Sequence, residues 1–132
     1  GIDVRLVGGI SQKDGRVEIN FLGEWGTVMG GSHWDDADAN VVCRMLGLGG
    51  PGHAIGGHDY GEGVGPIWLD YVHCKGNETS LADCPHSPWG SKTVRYIDNA
   101  WVICGQIPGI DVRLVGGISQ KDGRVEINFL GE

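Results

Sequence analysis

Between Gly15 and Phe21 the apolar residues Val17, Ile19 and Phe21 alternate with Glu18 and Asn20, the two-residue period of a strand with one wet face. Gly23-Glu24 then reads as a hairpin turn leading into a second strand, Trp25–Val28, and Val4–Gly9 reads as a short strand running into a turn. The period changes in "HWDDADANVVCRMLGLGG", where Ala39, Val42, Cys43 and Leu46 fall at i, i+3, i+4 and i+7, one face of a helix. Asp35 or Asp36 caps its amino end, Asp38 complements the helix dipole, and Gly47 supplies the stop. From Gly47 to Pro66 the chain is dense in glycine, which predicts a long surface loop. Further on, "PIWLDYVHC" reads as extended, "TSLAD" as a short helical turn capped by Thr79 or Ser80, and "AWVIC" as a closing strand.

A second pattern is larger. Residues 109–132 repeat residues 1–24 letter for letter, at an offset of 108 positions, about the length of one small domain. The chain therefore divides into a domain, 1–108, and the start of another copy, 109–132.

Composition narrows the function classes. The net charge is −7, and without basic clusters this opposes binding to nucleic acid or to an anionic membrane surface. No apolar run approaches the roughly 20 residues of a membrane span, and no amino-terminal leader is visible, as expected of a mature chain or a fragment. Glycine takes 25 of 132 positions, far above the usual ~7%, so the fold must contain tight turns and irregular loops. The glycine-rich stretch lacks the preceding strand and following helix of a phosphate cradle, which removes the nucleotide reading.

Cys43, Cys74, Cys84 and Cys104 make an even count in a small, loop-rich chain, and their spacing has no CxxC-type element. Disulfides in an oxidising compartment fit this better than zinc, and spacing alone leaves three pairings open.

The blocks "VRLVGG", "GRVEI", "WGTV", "DANVVCRMLG", "GPIWLD", "CKGNETSLADCPH", "PWG" and "WVIC" stand in the order found in the scavenger receptor cysteine-rich (SRCR) family, which the stretch Val4–Cys104 resembles. The resemblance implies an α+β fold, a curved and mostly antiparallel β-sheet cradling one α-helix with long Gly-rich loops. It also implies the pairings Cys43–Cys104 and Cys74–Cys84. Family members usually carry six or eight cysteines. Here the Cys after "WGTV" is Met29 and its usual partner is Val94, so the resemblance predicts an apolar packing pair where a bridge stood. The Cys after "LG" is Leu48, and its partner is absent from "SQKD".

The resemblance also directs attention to a calcium site built from two acids after "WGTV-Cys" and another acid before the last Cys. This chain has Gly30-Gly31 at the first pair and only Asp98, beside Asn99, near the second, too few oxygens for a hard cation, so that site is expected to be lost. Asp35, Asp36 and Asp38 are read as helix-end acids rather than a substitute site. The five histidines (His33, His53, His58, His73 and His86) show no helical ligand spacing or close pairing, so no metal and no cofactor are expected. No GxSxG elbow surrounds any serine, and the SRCR family is non-enzymatic; no catalytic residue is expected. Asn77-Glu78-Thr79 is a glycosylation sequon, with Asn77 the acceptor in a secreted protein.

Residues 109–132 carry two strands and no helix, and alone they have nothing to bury their apolar face against. Three readings follow: the start of the next tandem domain, strands exchanged with a neighbouring molecule, or a duplication without function. The stretch between Cys104 and the next strand, Gly105–Asp111, is short and stiffened by Pro108. The first reading is preferred: an extracellular, secreted SRCR module of a tandem-repeat filament, partnered head to tail by neighbouring copies. The alternative is a recognition module for protein, glycan or microbial surface ligands, using aromatics such as Tyr60, Tyr71 and Trp89.

Overall fold

The computed structural model describes residues 2–56, 65–90, 99–105, 119–121 and 124–126. Val94, Asp98, His58 and Tyr60 lie outside the described residues, and so does the packing expected between Met29 and Val94.

The first strands are β1 (Asp3–Gly8), β2 (Asp14–Phe21) and β3 (Glu24–Val28). β2 is the hub: it pairs antiparallel with β1, with β3, and through Asp14–Arg16 with β6 (Trp101–Cys104). Val17 and Ile19 are both 0% exposed and lie in the core, but the face expected to be wet is covered at Glu18, which is 3% exposed and paired with Arg5 at 2.7 Å and Arg16 at 3.2 Å. The turn after β2 differs from expectation by one residue: Phe21 pairs with Glu24, so the turn is Leu22-Gly23, with φ of 55° and 83°. Positive φ at both positions is that of a type I′ turn, which Gly23 supplies readily and Leu22, left exposed at the tip, accepts.

Helix α1 (Asp36–Met45) forms where the period changed, burying Ala39, Val41, Val42 and Cys43. Asp35 is the cap, and Leu46-Gly47 ends the helix with Gly47 at φ 69°. β4 (Gly52–Gly56) corrects the loop predicted over 47–66: it pairs antiparallel with β6, Gly52 opposite Cys104 and Ile55 opposite Trp101. Its glycines serve close packing rather than turning. A Cβ on Gly52 would stand 2.7 Å from the Ala39 carbonyl carbon, so α1 lies directly on the strand. β5 (Ile67–Leu69) pairs parallel with β3, and a 3-10 turn at Leu81–Asp83 is capped by the Ser80 hydroxyl, which accepts from the Ala82 N–H at 3.1 Å.

The core between sheet and helix gathers Val17, Ile19, Val28, Trp34, Val41, Val42, Leu69, Val72, Leu81 and Val102. Trp34, 1% exposed, donates its indole N–H to the Trp101 carbonyl at 3.1 Å, so its polar edge is satisfied inside the core. Two bridges lock this packing: Cys43–Cys104 joins α1 to β6 across 61 residues, and Cys74–Cys84 closes a loop of 10. By loop entropy they contribute about 4 and about 3 kcal/mol.

The second copy supplies β7 (Ser119–Lys121) and β8 (Arg124–Glu126), an antiparallel pair. β8 lies parallel to β4, Ile55 opposite Val125 and Gly56 opposite Glu126, and extends the sheet past the first domain's own strands.

Candidate functional site

Three places bear on function, and each is built from residues far apart in sequence. The first is where the resemblance puts a cation. Met29 forms a β-bridge with Asn99, which brings Gly30 and Gly31 beside Asn99. No carboxylate stands at these positions, and the Asn99 Oδ1 is buried without a partner among the described residues.

The nearby acids are occupied in holding the backbone. Asp35 and Asp38 form a reciprocal capping box, the Asp35 carboxylate accepting from the Asp38 N–H at 3.2 Å and Asp38 from the Asp35 N–H at 2.9 Å. The other Asp38 oxygen accepts from the Cys74 N–H at 2.8 Å, tying the helix start to the small disulfide loop. Asp36 accepts from the Ala54 N–H at 2.8 Å and so pins β4. Asp38 is 0% exposed, and burial pushes its carboxyl up from the ordinary 3.8 to about 7, against the two backbone N–H groups that favour the charged form.

The second place is the loop closed by Cys74–Cys84. Glu78 accepts from the Lys75 N–H at 2.9 Å and the Gly76 N–H at 2.9 Å, bonds that lower its pKa. Arg44 donates to the Gly76 and Glu78 carbonyls at 2.9 and 2.7 Å, fixing the loop against α1. Asn77 stands exposed on this rigid loop. Cys74, Glu78 and Cys84 lie close together, but the two sulfurs are bonded to each other and offer no thiolate to a metal.

The third place was invisible in the sequence. The Met29 N–H donates to the Leu69 carbonyl at 2.8 Å, so the segment after β3 runs beside the segment after β5. This brings the exposed rings of His33, Tyr71 and His73 together. The His33 ring lies 4.8 Å from Tyr71 and 5.2 Å from His73, centroid to centroid. Spacing along the chain gave no sign of this contact, because the two histidines are 40 positions apart and only strand pairing joins them. Tyr71 is 45% exposed and sits at φ 53°, a conformation costly for a bulky residue, held in part by the bond from its N–H to Asp70 at 2.8 Å. Trp89, by contrast, is half-buried and stacks on Phe21 at 4.1 Å, which makes it a packing residue.

Among the described residues, one helix on a curled, mostly antiparallel sheet and two disulfides make a small α+β domain. The family model for the scavenger receptor cysteine-rich domain matches residues 7–105. The chain belongs to the SRCR family, whose members are generally non-enzymatic ligand-binding modules of extracellular proteins. It is similar to the third SRCR domain of murine neurotrypsin, with 44% identity and a TM-score of 0.71 over 81% of this chain and 99% of that one. It is also similar to the SRCR domain of mouse MARCO in its dimeric form, at 43% identity and a TM-score of 0.62, covering 77% and 94% of the two chains. Among the described residues no helix is long and apolar enough to cross a membrane.

Proposed function

We propose that this chain is a non-enzymatic, extracellular SRCR module whose main partner is another copy of itself, and that its copies follow one another head to tail in a tandem-repeat filament. The observation that carries this reading is the letter-for-letter return of residues 1–24 at 109–132, combined with the parallel pairing of β8 on β4. A second copy thus begins against an open edge of the first, and backbone pairing across such an edge is a common way for one module to hold another. The short joint with Pro108 restricts the angle between copies, which suits a regular rod. The dimeric form of the related MARCO domain is in keeping with self-association. Secretion and a glycan on the exposed Asn77 belong to the same reading.

Electron microscopy of the native secreted material tests it: rods with a regular axial repeat are expected, and compact single particles alone would contradict it. A second reading, recognition of protein or glycan ligands, is favoured by the exposed Tyr71 packed against the exposed His33. Saturable binding in a ligand screen, by material that forms no rods, would put that reading in first place.

A further inference from the structure

We propose that His33 and His73 form a binding site for a divalent transition-metal ion of the zinc type, on the face that carries Tyr71. A tetrahedral zinc holds each imidazole nitrogen at about 2.0–2.1 Å, and two rings ligated in this way have centroids about 5.2 Å apart. The His33 and His73 rings are 5.2 Å apart, with planes inclined at 76°.

The backbone that carries the two rings is also fixed before any ion arrives. The His73 backbone N–H donates to the Pro85 carbonyl at 2.9 Å, next to the disulfide-bonded Cys74. On the other side His33 ends a 3-10 turn whose next residue is the core tryptophan Trp34, anchored by its indole bond to Trp101. Tyr71 packs against His33 at 4.8 Å and limits the directions in which that ring can swing. Preorganised ligands lose little freedom on binding, the condition under which two side chains suffice for a measurable site. Both imidazoles are exposed, so water completes the coordination shell, and the net charge of −7 favours the approach of a cation. The ligands are nitrogens, which suit zinc, copper or nickel and not the hard cations that need converging oxygens.

This site is independent of the filament reading, since neither residue lies in the second copy. The test is calorimetric titration of the full chain, disulfides intact, with zinc chloride in a non-chelating buffer. One ion per chain is expected. His33→Ala and His73→Ala should each weaken binding at least tenfold, whereas His53→Ala, on β4, should leave it unchanged. Both variants alter exposed side chains, and unchanged thermal unfolding without metal confirms that the fold is intact. Absence of zinc binding by the wild type, or equal affinity in His33→Ala, overturns the proposal.

Discussion

Residues 1–24 and 109–132 share every letter yet pair differently. In the first copy, β1 and β2 close on Gly8 opposite Gly15, with a five-residue connection from Gly9 to Lys13 between the strands. There Asp14 accepts from the N–H groups of Ile10 and Ser11 at 3.0 and 2.7 Å, and Gly15 lies inside the strand. In the second copy Ser119–Lys121 pairs directly with Arg124–Glu126, leaving only Asp122-Gly123 between the paired segments. Asp-Gly between two strands is the strongest short-range hairpin signal. The second copy follows that local preference. The first overrides it, because Val17 and Ile19 reach the core and β2 gains β3 and β6 as neighbours. Burial decides which hairpin a given sequence adopts, and local turn chemistry decides only where burial does not.

The sharpest way to break this comparison is the same substitution in both copies. Val17→Pro removes an N–H that donates to the Ala100 carbonyl at 2.9 Å and forces a rigid ring into a fully buried strand position. It should destabilise the domain by more than about 4 kcal/mol in denaturant unfolding. Its counterpart Val125→Pro should change domain stability by less than ~0.5 kcal/mol, since β8 meets the domain through only two residue pairs.

Next in size are the bridges, which belong to the first domain and not to the repeat. Replacing Cys43 and Cys104 together by Ala should cost about 4 kcal/mol, and replacing Cys74 and Cys84 about 3 kcal/mol, measured the same way.

A smaller effect concerns pH. The folded state holds a proton on Asp38 up to about pH 7, whereas the unfolded chain releases it near 3.8. The folded form therefore binds more protons over that window, and stability should fall as pH rises from about 4 to about 7, then level off. Asp38→Asn should flatten this slope, as followed by thermal unfolding at several pH values. The smallest effect is expected at the exposed Asn77: Asn77→Gln should leave stability within ~0.5 kcal/mol while removing any glycan mass from secreted material.

Much of the fold was legible because its signals were local. The i, i+3, i+4, i+7 spacing from Ala39 to Leu46 marked α1, and the alternation of Val17, Ile19 and Phe21 marked β2. β4 was not legible, since "GHAIG" is bounded by glycines that look like loop but serve close contact with α1. The turn at Leu22-Gly23 was displaced by one residue, because a leucine at positive φ has no sequence signature. The helix-end role of Asp35 could be read from its place before the apolar stripe, but the bonds from the Cys74 and Ala54 N–H groups to Asp38 and Asp36 depend on tertiary packing. The His33–Tyr71–His73 group lay beyond sequence reasoning for the same reason: its members meet only because β3 and β5 pair in parallel.

The claim at the centre is that one stretch of sequence builds a domain while its identical twin joins that domain to the next copy. Limited proteolysis of the full chain, beside Val125→Pro, tests it most directly. The segment 119–126 is expected to resist cleavage in the full chain, where β8 pairs with β4, and to be cut readily in Val125→Pro. Equally rapid cleavage in both chains would contradict it.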